Sequence, residues 1–178
     1  MSIIINIIEK QFTVPVTHEI EPVWAKKVER WFQLDEVSIA ICNGLYEWLK
    51  QNEIILAPSI ILNATIEGCH LADARFAMGG GESPALFVYT LPSIIVGVAA
   101  QYLSWKGPSF NFTGQNSWSN AVSFGDQWIA SQKQNSIVWI IQVERDPTLI
   151  NFRKVRFMQK ITQAIQVIQN EGYKNEYE

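Results

Sequence analysis

The residues best placed for chemistry are Gly114, Gln115, Asn116 and Ser117. Just before them, Phe110 and Phe112 alternate with Ser109, Asn111 and Thr113, the period of a strand with one better-buried face. Gly114 permits a sharp change of direction, and Asn116 or Ser117 suits a helix N-cap. Trp118, Ala121, Val122, Gly125, Trp128 and Ile129 then recur at helical spacing. A strand-to-helix elbow of this kind aims backbone N–H groups at one point, which suits a nucleophile or an anion. The tip carries amides instead. Gln115 and Asn116 are uncharged and poorly nucleophilic, so covalent transfer through either is not chemically reasonable. Ser117 has a hydroxyl but no histidine base at hand, and its type is explained by a cap.

The other reactive side chains form no recognisable constellation. His18 and His70 are isolated, and a lone histidine in a loop reads first as structural. Cys42 and Cys69 have neither metal nor redox spacing. Asp73 beside Arg75 reads as a solvated local pair. Gly79-Gly80-Gly81-Glu82 would need a preceding strand and a following Lys-Ser/Thr to cradle phosphate, so it reads as a plain loop. Nothing here calls for a metal or a cofactor.

Composition narrows the class. The 178 residues suffice for one good core in a single domain, and 48% hydrophobic residues with seven Trp and nine Phe imply a packed fold. A net charge of −3 and a pI near 5.5 give no electrostatic case for nucleic acid. No secretory signal is visible, since Ser2 to Ile8 is short and lacks a basic lead. The run from Ser83 to Trp105 is uncharged and long enough for a bilayer. Pro92 and several polar residues divide it, however, so two buried elements are expected rather than a membrane span. A cytoplasmic location is the default.

Further elements must position the elbow. Residues 2–16 offer an opening strand or hairpin, and a helical stripe runs from Trp24 through Val28, Trp31, Val37, Ile41, Leu45 and Trp48, with a break near Leu34-Asp35. Ser59 to Asn63 reads as a buried strand, and Glu67 to Phe76 as a loop entering a short helix. From Pro92 onward, Ile95, Val98, Ala99 and Tyr102 share a helical face, with Gly97 allowing a close neighbour. Ser136 to Val143 is a near-continuous apolar run, as in a central parallel strand. Val155, Met158, Ile161, Ile165 and Ile168 make a stripe that predicts an amphipathic helix over about 148–171. The alternation argues for an α/β fold with a mainly parallel sheet flanked by helices.

The block Ser83-Pro84-Ala85-Leu86-Phe87-Val88-Tyr89-Thr90-Leu91-Pro92-Ser93, continuing through Ala99-Ala100 to Gly107-Pro108-Ser109, resembles the N-terminal half of β-ketoacyl synthases. That family carries a similar run leading into its nucleophile elbow. Val28 to Phe32 resembles the start of its first long helix, and Pro58 to Thr65 the strand that follows. The similarity is densest over 83–122.

The resemblance implies a thiolase-type fold, whose full-length members stack two βαβαβαββ halves; these residues are enough for one. Active members place a Cys at the elbow, where the helix N-terminus lowers its pKa. Counting back from Ala121 puts that position at Gln115, and an ungapped count from Gly107 puts it at Asn116. The family's catalytic histidines come from the second half. The implied function is a non-catalytic, chain-length-factor-like partner or acyl-binding scaffold in polyketide or fatty-acid-type biosynthesis. The alternative is a small acyl-thioester decarboxylase or hydrolase using the elbow with partner-supplied groups. Expected partners are a second copy or a ketosynthase, and an acyl carrier protein. Gly114 to Ser117 is the candidate binding elbow, and Trp118, Val122, Trp128 and Ile129 the candidate interface.

Overall fold

The computed structural model describes residues 3–51, 57–66, 70–81, 91, 93–132, 135–145 and 147–164. Its strands are β1 (Ile3–Pro15), β2 (Ile60–Thr65), β3 (Ser109–Thr113), β4 (Ile137–Arg145) and β5 (Phe152–Ala164). Its helices are α1 (Glu36–Gln51), α2 (His70–Met78), α3 (Ser93–Tyr102) and α4 (Ser117–Ser131). The strands form one sheet in the order β1-β5-β4-β2-β3. β2 lies parallel to both β3 and β4, with Asn63 opposite Asn111 and Leu62 opposite Ile140. Parallel neighbours need crossovers, and the helices between these strands supply them. β5 runs antiparallel to β4 and to β1. The fold is α/β as the alternation implies, but the sheet is mixed rather than mainly parallel.

That difference traces to the C-terminal stretch. The amphipathic helix expected over about 148–171 is replaced by β5, and residues 165–171 lie outside the described residues. The apolar stripe divides between the two sides of the strand. Val155 and Phe157 pack in the core beneath α1, whereas Met158 packs on the α4 side. Arg153, Gln159, Lys160 and Thr162 are buried as well, which hides the two-residue alternation behind polar side chains.

Alternate residues of the sheet feed two cores. Ile61, Trp139, Ile141 and Val143 face α1 and α3. Ile60, Leu62, Val138 and Ile140 face α4. β4 is therefore buried on both faces, as its apolar run requires. Asp35 starts α1 by accepting the Val37 N–H through Oδ1 at 3.0 Å. Before it, two short 3-10 turns, Ala25–Lys27 and Trp31–Gln33, replace the first part of the expected long helix. The break near Leu34-Asp35 is where the sequence places it.

The α3 stripe of Ile95, Val98, Ala99 and Tyr102 is buried. Gly97 is exposed, and among the described residues nothing lies within 4 Å of where its Cβ would be, so no close approach is found there. The close approach lies instead at Gly44 of α1, where an added Cβ would come within 2.7 Å of Val155. Gly80 and Gly81 close the end of α2 with φ of 76° and 72°, their N–H groups donating to the Ala77 and Phe76 carbonyls. No helix of the described residues is long and apolar enough to cross a membrane.

Candidate functional site

The elbow between β3 and α4 is built as a closed turn. Gly114 has φ +91°, and among the described residues nothing lies within 4 Å of where its Cβ would be, so backbone conformation selects glycine there. Its N–H donates to the Thr65 carbonyl at 3.1 Å, tying the elbow to the end of β2. Its own carbonyl accepts the Ser117 N–H at 3.0 Å. Gln115 and Asn116 stand exposed at the tip. Asn116 holds the N-cap position, yet its side chain makes no cap hydrogen bond. Its carbonyl accepts the Asn120 N–H at 2.9 Å and the Ser119 hydroxyl at 3.0 Å.

Ser117 is not the cap. It is the first residue of α4 and is fully buried, and among the described residues its Oγ has no hydrogen-bond partner. A hydroxyl enclosed in this way is not presented to a substrate. Among the described residues the tip thus offers two neutral amides and the start of a helix, and no nucleophile.

Beneath the elbow lies a polar feature that the sequence reading missed. Asn63 Nδ2 donates to Asn111 Oδ1, joining β2 to β3. Asn63 is fully buried, as is Thr65. An asparagine within Ile60-Ile61-Leu62-Asn63-Ala64 was the available signal, because a buried amide requires a partner.

The four proposed interface residues do not share one surface. Ile129 lies in the core with Ala121, Ile60 and Ile140, so it belongs to this chain's own packing. Trp118, Val122 and Trp128 are half-buried along the margins of that core. Trp118 is partly occupied, since the Arg156 guanidinium lies 4.0 Å from its ring centroid. Arg156 also reaches Glu9 at 2.5 Å. A shallow groove along α4 is lined by Trp118, Val122, Asp126 and Ala130 among others. On the other flank Phe124 meets Phe110 and Phe112, at 5.1 and 5.7 Å between centroids. Phe110 stays 44% exposed on β3, an edge strand among the described residues.

His18 and Cys42 stand apart from the elbow. His18 Nε2 lies 2.9 Å from the Leu34 carbonyl, and its ring stacks on Trp31, so it braces the segment before α1. His70 opens α2 and Asp73 is exposed on it. Cys42 is buried in α1, where desolvation pushes its thiol up. Cys69 lies outside the described residues. No group of three or more His, Cys, Asp or Glu among the described residues could hold a metal ion.

No protein-family model matches the chain, and no curated protein matches it. Among solved structures, it is similar to a chain in the complex of the ketosynthase ApeO with its chain length factor ApeC from Xenorhabdus doucetiae. The TM-score is 0.59 at 10% sequence identity, over 92% of this chain and 80% of that one. The two chains are therefore of similar length. At this identity the likeness establishes architecture alone: a mixed five-stranded α/β sheet flanked by helices, consistent with one half of a thiolase-like fold.

Proposed function

We propose that the chain is a non-catalytic ketosynthase-like subunit that pairs with a ketosynthase in polyketide or fatty-acid-type biosynthesis. The observation that carries this reading is the elbow itself. Its backbone geometry suits an activated nucleophile, but Gln115 and Asn116 occupy the tip and the Ser117 hydroxyl is buried. A fold shared with a chain from a ketosynthase–chain length factor complex supports the same reading. So does β3, the sheet edge among the described residues, where the exposed Phe110 makes a natural pairing surface. Trp118, Val122 and Trp128 on α4 would extend that surface. An acyl carrier protein would then meet the pair rather than this subunit alone. The competing reading, a small acyl-thioester decarboxylase or hydrolase, would have to work through Gln115 with groups brought by a partner.

The test is affinity purification of the tagged chain from its native host, with mass spectrometry of what accompanies it. A ketosynthase recovered in a one-to-one complex is the expected result. Recovery of the chain alone as a monodisperse monomer would overturn the proposal.

A further inference from the structure

Away from the elbow, on the α1 side of the other sheet edge, lies a cavity of about 530 Å³. That volume falls in the range of small-molecule sites. One wall is the stretch Phe12–Pro15 of β1, and a second is the α1 stripe of Ile39, Asn43 and Tyr46. The segment running to Trp24 closes the third side. Two hydrogen bonds hold these walls in place. Trp24 Nε1 donates to Asn43 Oδ1 at 2.6 Å, and Asn43 Nδ2 donates to the Pro15 carbonyl at 2.7 Å. The cavity is therefore pinned open by its own side chains, which lowers the ordering cost of binding.

Its chemistry is one-sided. The charged residues on its lining are Glu21 and Glu47, and no Lys, Arg or His joins them among the described residues. Ile20 and Val23 line it too and are 74% and 77% exposed, so large apolar groups stand in water where an occupant would cover them. Two carboxylates beside an apolar, aromatic lining repel an anion and favour a cation, which the partly exposed Tyr46 ring would also accept.

We propose that this cavity is a binding site, separate from the elbow, for a small apolar molecule that carries a positive charge, such as an arylalkyl amine. The apolar body lies against Phe12, Tyr46, Ile20 and Val23, and Glu21 and Glu47 meet the ammonium. The site discriminates against carboxylates and phosphates. It stands or falls independently of pairing with a ketosynthase.

The test is a titration followed by backbone and indole amide NMR, using 4-phenylbutylamine and the equally sized 4-phenylbutyrate. The amine is expected to shift residues 12–24 and the Trp24 indole, and to bind about ten-fold or more tightly than the carboxylate, a difference of about 1.4 kcal/mol. Glu21→Gln with Glu47→Gln should erase that preference. Val23→Trp, at an exposed position on the cavity wall, should block the amine without lowering the melting temperature. The proposal is overturned if millimolar amine leaves these resonances unmoved, if the carboxylate binds as well, or if the double glutamine variant keeps the preference.

Discussion

Lys160 Nζ and Asp126 Oδ1 meet at 2.6 Å and fasten the last strand to the side of the helix that leaves the elbow. The two ends are unequal. The lysine side chain is 6% exposed and the aspartate 53%. Removing the carboxylate strands an ammonium in the interior, whereas removing the lysine releases the carboxylate to water. Asp126→Asn should therefore cost more than Lys160→Met, about 1–2 kcal/mol against well under 1. Urea unfolding of the two variants checks the order.

Gly44 seats α1 on β5. A Cβ there would lie 2.7 Å from Val155 Cγ1 and 3.0 Å from Phe157 Cε2. Gly44→Ala gains about 1 kcal/mol in helix propensity but overpacks a dense core, which costs about 1–3 kcal/mol. Net destabilisation is expected, and Val155→Ala should cost less in the Gly44→Ala background than in the parent. A double-mutant cycle in denaturant measures the coupling.

Both faces of the sheet were foreshadowed in the sequence, but unevenly. Phe110, Phe112 and Gly114 marked the elbow because their periodicity and conformational freedom are local properties. The run from Ser136 to Val143 marked β4 for the same reason. β5 was hidden because Val155, Met158 and Ile161 fit a helical stripe as readily as Val155, Phe157 and Ile161 fit a strand. What decides between them is pairing with β1, with Phe12 opposite Val155 and Ile3 opposite Ala164, and no local rule sees a partner so distant in sequence. At the site, the amide tip was legible and the burial of Ser117 was not, since enclosure depends on the whole of the packed α4 face. The amphipathic face of α4 was also legible, but not which residues it turned inward. Ile129 went to the core and Trp118 to Arg156.

Tyr102 should set part of the alkaline limit of stability. Burial, with Cys42 and Tyr46 nearby, pushes its phenol up to about 12, from about 10 in an unfolded chain. Between those values the folded chain keeps a proton that the unfolded chain has lost. Stability is therefore fully present below about pH 10 and declines as pH rises toward about 12. Buried Cys42 acts in the same direction. Tyr102→Phe should flatten the decline, measured as the urea midpoint across that range.

The most direct measurement of the central claim is ketosynthase turnover in the reconstituted pair, comparing the parent chain, Gln115→Ala, Ser117→Ala and no added chain. A non-catalytic partner predicts that turnover depends on the presence of the chain and is unchanged by either substitution. Turnover that collapses with Gln115→Ala while the complex stays intact would contradict it and return the elbow to the chemistry.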